Sequence, residues 1–148
     1  MNFVIDTNIL MSALIKDGAI REIIMQSGWK FYYPAAALEE IKKYQELIIE
    51  KSKLSKEEYE KLFSAISHYV VFIPLEKIKE NIKEAEEVMN NIDPKDTIFI
   101  AAAFSTKNDG IWSDDMHFAK QNSFKALKTE EIIKFFKNMQ NNIWKNLG

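Results

Sequence analysis

Four carboxylates stand where this chain could do chemistry: Asp6 in Asp6-Thr7-Asn8, Glu40, Asp96, and Asp115 in Ser113-Asp114-Asp115. Three of them directly border apolar runs that read as strands or helices, and an α/β sheet presents its ligands beyond the carboxyl ends of its strands. Unpaired carboxylates crowded together repel and raise one another's pKa unless a divalent cation neutralises them. Convergence of the four would therefore create a metal site. The chain has no cysteine and two histidines, which excludes disulfides, thiolate zinc sites and cysteine nucleophiles. Hard oxygen ligation, suited to Mg²⁺ or Mn²⁺, is what remains.

Each acid also has a purely structural reading. Asp6 fits the N-cap of a helix that follows a first strand, a role worth about 0.5–2 kcal/mol. In Asp93-Pro94-Lys95-Asp96, Asp93 fits the cap, Pro94 the first helical position, and Asp96 an early-turn acid that suits the helix dipole. Ser113 fits a cap ahead of Asp114 and Asp115. Glu40 resists this account, because it lies inside a helix. At 100° per residue, Ala37, Leu38, Ile41, Tyr44, Gln45 and Ile48 define one face, and Glu40 falls about 100° from Ile41, on the border of that face. Glu39 falls on the wet side, so Glu40 is the better-placed carboxylate.

The elements that must position these residues alternate. Asn2 to Ile5 reads as a buried strand, followed by helices from Thr7 to Ile15 and Ala19 to Gln26, with Ser27-Gly28 as the stop. Trp29 to Tyr33 reads as a second strand, and Pro34 as an early residue of a helix running to about Glu50. Ser55-Lys56-Glu57-Glu58 matches a capping box. Val70 to Ile73 predicts a third strand, then comes a helix with Ile78, Ile82, Ala85 and Met89 on one face. A further helix near Pro94 carries Ala101-Ala102-Ala103, small enough to lie close against a sheet. Gly110 to Trp112 and Phe124 to Leu127 complete the strands, with a short helix between and a last helix from Thr129. Such alternation implies a parallel sheet covered on both faces.

The 148 residues fit one domain, residues 1–148, with no repeat, low-complexity tract or linker. No apolar run reaches the roughly 18–20 residues of a membrane span, and no signal peptide precedes Phe3-Val4-Ile5, so a cytoplasmic location is expected. The net charge of −2 conceals an asymmetry. Residues 120–148 carry six lysines against Glu130 and Glu131, a net of +4, so the rest carries −6. A basic segment can meet phosphates while an acidic pocket holds metal, although solvated lysines on an amphipathic helix explain most of them.

Asp-Thr-Asn-Ile-Leu after an N-terminal apolar strand, an acid followed by an aliphatic residue at Glu40-Ile41, Asp96 heading Asp-x-x-x-x-Ala, and Trp-Ser-Asp-Asp-x-His-Phe resemble the PIN domain ribonuclease family, in order and across nearly the whole chain. Ser113-Asp114-Asp115-Met116-His117-Phe118 is similar to that family's Thr-x-Asp-x-Asp-Phe, which selects Asp115 as the fourth acid. His117 falls where the family often has a further acid, with Asp114 as a stand-in. The resemblance implies a Rossmann-like α/β/α sandwich with a parallel sheet of about five strands. It implies acids gathered at one end of that sheet, and single-stranded RNA as substrate. It also implies a homodimer and, for a toxin of the VapC type, a small antitoxin partner whose tail reaches into the site.

On this reading Asp6, Asp96 and Asp115 are ligands, direct or through water, of Mg²⁺ or Mn²⁺, and Glu40 is a ligand or a base orienting water. Thr7, Asn8 and Ser113 are hydrogen-bond partners behind them. His68 reads as a helix-end residue, and His117 as solvent-exposed before it reads as a ligand. Ile132, Phe136, Met139, Ile143 and Leu147 form a helical stripe for core or dimer packing, or for antitoxin contact. Phe135 and Trp144 flank it beside Lys134 and Lys145, where stacking on bases is the alternative to packing. Two other functions compete. A phosphatase with Asp6 as nucleophile wants a second Asp two positions on, where this chain has Asn8; an inactive RNA-binding or scaffold module would keep the acids without turnover.

Overall fold

Phe3, Val4 and Ile5 are apolar in succession, as a strand covered on both faces requires, and all three are fully buried. They form β1 (Asn2–Ile5) in a computed structural model that describes residues 1–147. The chain continues through α1 (Thr7–Ile15), α2 (Ala19–Gln26), β2 (Lys30–Pro34), α3 (Leu38–Lys43), α4 (Gln45–Ser52), α5 (Lys56–Ser67) and β3 (Val70–Ile73). Then follow α6 (Leu75–Lys79), α7 (Ile82–Met89), α8 (Thr97–Phe104), β4 (Ile111–Trp112), α9 (Met116–Ala119), β5 (Ala126–Leu127) and α10 (Thr129–Leu147). Short 3₁₀ turns at Ala35–Ala37 and Pro94–Asp96 precede α3 and α8.

All five strands are parallel, in the order β3-β2-β1-β4-β5. From β1 the chain winds one way to β2 and β3, then returns past β1 to β4 and β5. Right-handed crossovers then place the helices of the outward leg and those of the return leg on opposite faces. Accordingly α1, α2, α4 and α5 pack among themselves with α10 against α2, whereas α8 gathers α6 and α7 and lies on β1 and β2. Ala101, Ala102 and Ala103 of α8 are buried to 1 % exposure or less, so their small side chains permit that close approach. This is the expected α/β/α sandwich.

Several boundaries differ from the sequence reading. Pro34 ends β2 instead of opening a helix, paired through Ile73 to the neighbouring β3. The long helix expected up to Glu50 is divided at Tyr44, whose φ of −99° and ψ of 10° interrupt it between α3 and α4. The helix after β3 is likewise divided, with Asn81 between α6 and α7. Elsewhere local signals act as read. Ser55 and Glu58 make the reciprocal capping box, and Gly28, at φ +74°, takes the left-handed turn after Ser27. His68 caps the end of α5.

Along α10 the apolar stripe changes environment. Ile132 and Phe136 are buried and Phe136 meets Trp29 edge-on, while Ile143, Trp144 and Leu147 are more than half exposed. Phe135 packs against the core and Trp144 does not. No helix among the described residues is long and apolar enough to cross a membrane.

Candidate metal centre

The sheet order reverses between β1 and β4, the topological switch point where open α/β sheets carry their ligands. Their register pairs Ile5 with Trp112, so the next residues on each strand, Asp6 and Ser113, emerge side by side. The Ser113 hydroxyl donates to Asp6 Oδ2 in a short hydrogen bond, and Asp6 Oδ1 accepts from the Ile9 amide at 2.9 Å, capping α1. Ser113 Oγ also accepts from the Asp115 amide at 3.0 Å, so one hydroxyl ties the two strand ends and orients Asp115. Asp115 in turn caps α9 through the His117 amide at 2.9 Å.

Asp96 arrives from the opposite layer, at the N-terminus of α8. Phe99, one turn further, packs edge-on against Phe118 of α9 with centroids 6.2 Å apart, and at 5.9 Å from Tyr33 of β2. This aromatic wedge holds the two acid-bearing helix starts together. Tyr33 donates to the Ala37 carbonyl at 2.9 Å and sits 2.9 Å from Thr7 Oγ1; with its proton committed to Ala37, it accepts from Thr7. Thr7 therefore secures the end of β2 to the start of α1, and it is to Tyr33, not to an acid, that its hydroxyl bonds.

At the centre lies the His117 ring. Its Nδ1 is 3.2 Å from Asp93 Oδ2, 3.3 Å from Asp96 Oδ2 and 3.1 Å from Asp115 Oδ1. One donor atom from each of Asp93, Asp96 and His117 lies within 4.8 Å of the others. Despite these distances the orientations do not serve hydrogen bonding, and both Asp96 Oδ2 and His117 Nδ1 are buried without a hydrogen-bond partner. Two buried polar atoms left without partners and facing one point are costly, and with His117 in the tautomer that leaves Nδ1 unprotonated a cation would join them. Carboxylate oxygens with one imidazole nitrogen fit a divalent first-row cation, Mn²⁺ more readily than the oxygen-preferring Mg²⁺.

Charge tells the same story. Burial, then the neighbouring charges of Asp115 and Asp96, push Asp6 up to about 6 against the hydrogen bonds from Ser113 and Ile9. Burial, then Asp115 and Asp93, push Asp96 up to about 6 against the close His117 ring, which pulls it down. Burial raises the Tyr33 hydroxyl as well, with Glu40 and Asp6 contributing.

These groups border an open cleft of about 490 Å³, lined by Asp6, Thr7, Asn8, Glu40, Asp93, Asp96, Phe99 and Asp115, and by Lys43, Tyr44 and Lys95. The four acids named from sequence thus face one cleft, at unequal depth. Asp6 is 5 % exposed and Glu40 is on the surface of α3, outside the cluster about His117. Asn8 is exposed at the rim. Asp114 turns away: its carboxylate accepts from the Thr129 amide at 2.7 Å and hydroxyl at 2.6 Å, holding the first residue of α10.

Residues 4–135 match the PIN domain family. The chain belongs to that family. No curated protein and no solved structure matches it. PIN domains are generally nucleases, and the five-stranded parallel sheet and acid-lined switch point of this chain are those of a nuclease-type fold. In this PIN domain the cluster includes two side chains that the sequence reading does not assign as ligands. Asp93 was assigned to capping, and it does accept from the Lys95 amide at 3.0 Å, but with Oδ1, leaving Oδ2 for the centre. His117 was read as solvent-exposed; its side chain is 38 % exposed, yet its Nδ1 is buried among three carboxylates. Its sequence signal is its place two residues after Asp115, where the family motif often has a further acid.

Proposed function

We propose that this PIN domain is a metal-dependent endoribonuclease that hydrolyses single-stranded RNA. The observation that carries this reading is the pair of orphaned buried atoms, Asp96 Oδ2 and His117 Nδ1, inside a group of carboxylates that burial and mutual repulsion leave short of positive charge. Asp93, Asp96, Asp115 and His117 would hold Mn²⁺ or Mg²⁺, with Asp6 adjoining through Ser113. Such an ion acidifies water, polarises a phosphoryl oxygen and neutralises the charge that develops on it. The protein's own task is to position. Ser113 fixes Asp6 and Asp115, the Phe99–Phe118 contact fixes Asp96 relative to α9, and Glu40 stands at the cleft rim, where it can orient water.

Both Asp6 oxygens accept hydrogen bonds, which suits a fixed ligand better than a nucleophile that must move onto phosphorus. A cytoplasmic toxin working as a homodimer, silenced by an antitoxin, is the biological setting this reading carries. Purified protein with fluorescent single-stranded RNA and Mn²⁺ or Mg²⁺, beside Asp96→Asn and an EDTA control, tests it. Cleavage by the wild type alone, abolished by chelator, is expected. Binding without cleavage in every metal would make the protein an RNA-binding module, and hydrolysis of a small phosphate ester in place of RNA would make it a phosphatase.

A further inference from the structure

Resting on the nuclease reading, we infer that Lys43, Tyr44 and Lys95 form a nucleotide subsite at the cleft wall: Tyr44 stacks a base, and the two lysines neutralise phosphates flanking the one at the acids. The break between α3 and α4 makes this arrangement. Ile41 and Ile48 bury one face of the two helices, whereas Glu40, Lys43 and Tyr44, at spacings of three and four, share another and line the cleft. Periodicity puts Tyr44 on the apolar face, but at the break it is 38 % exposed. Lys43 Nζ lies 5.5 Å from the centre of its ring, so a cation and an aromatic face are presented together.

Lys95 comes from the other side of the sheet, between Asp93 and Asp96. Among the described residues neither lysine is ion-paired, although five carboxylates line the same cleft. Cations on the wall of an acidic cleft, with no acid bound to them, are suited to an anionic ligand that spans the wall. A polynucleotide is such a ligand: each phosphate beyond the first needs its own cation, and each base offers a face for stacking.

The test uses the full chain. Binding of fluorescein-labelled single-stranded RNA is followed by anisotropy in Ca²⁺ over a salt series, and kcat and KM are measured in Mn²⁺. Tyr44→Ala should weaken binding by about five- to a hundredfold and raise KM with kcat nearly unchanged. Tyr44→Trp should restore both, which a merely structural role would not allow. Lys43→Ala and Lys95→Ala should each reduce the slope of log affinity against log salt by about 0.7. Unchanged affinity and salt slope in all three variants, with cleavage intact, would overturn the subsite and leave the nuclease standing. RNA binding that depends on Tyr44 without cleavage in any metal would keep the subsite and remove the nuclease. Absence of both binding and cleavage would remove both. Tighter binding of polyglutamate than of RNA, indifferent to Tyr44→Ala, would overturn the subsite in favour of an acidic protein partner.

Discussion

His117 Nδ1 and Asp96 Oδ2 face each other at 3.3 Å across a buried gap with no hydrogen bond between them. In the proposed centre a cation would complete both atoms, and removing the imidazole would remove one of its ligands. His117→Ala should therefore weaken Mn²⁺ binding by about 10- to 100-fold, measured by isothermal titration calorimetry, and affect Mg²⁺ less. Equal Mn²⁺ affinity in wild type and variant would exclude His117 from the centre.

Asp6 and Asp96 titrate near 3.8 when unperturbed and near 6 in the fold. Between roughly pH 4 and 6 the folded chain keeps protons that the unfolded chain has released, so stability falls as pH rises through that window. The loss is on the order of 2–3 kcal/mol from Asp6, and smaller from the more exposed Asp96, where solvent screens the charge. In EDTA the melting temperature should be lower at about pH 7.5 than at about pH 5, and saturating Mn²⁺ should recover it at the higher pH. A metal-free protein that grows more stable over that interval would contradict the crowding of these acids.

Neighbouring aspartates should behave oppositely. Asp114 holds the start of α10 through Thr129, so Asp114→Ala should cost about 1 kcal/mol in urea denaturation and leave kcat within about threefold. Asp115 lies at the proposed centre and raises both Asp6 and Asp96, so Asp115→Ala should abolish cleavage, while relief of that repulsion offsets the lost cap of α9 and leaves the melting temperature of the metal-free protein nearly unchanged. Loss of activity in Asp114→Ala at full stability would reverse the assignment.

Gly110 leads into β4 at φ +144°, where an added Cβ would stand 2.6 Å from the Lys125 carbonyl oxygen. Its own carbonyl accepts from Val4, and the Ile111 amide donates to that same Lys125 oxygen, so the backbone cannot retreat without loosening β1, β4 and β5. Gly110→Ala should cost about 2–4 kcal/mol in urea denaturation. A cost under about 0.5 kcal/mol would show that the strand ends can shift freely.

The strand-and-helix alternation was legible because each signal is local: the apolar run Phe3-Val4-Ile5, the Ser55 capping box, the Ser27-Gly28 stop. Asp6 stood out for the same reason, since it follows a short strand and caps the next helix; Asp115 was legible only through the family motif, and it is Asp115, in place of the expected Ser113, that caps α9. Locality also misled. Asp93 satisfies a cap with one oxygen, which hid the use of the other, and Tyr44 follows an apolar period that the helix break overrides.

By itself the sequence determined the fold class, the family motifs and the strand ends from which acids emerge. The tertiary structure decided which acids meet. Asp93, Asp96 and His117 come from two segments about twenty residues apart, brought together by α8 lying on β1 and β2 and by Phe99 packing on Phe118. Likewise, only placement of α10 turned Asp114 toward Thr129 while Asp115 faced the centre. Backbone periodicity is set by nearest neighbours along the chain, whereas the direction of a carboxylate is set by whichever distant donor or charge packing brings within reach.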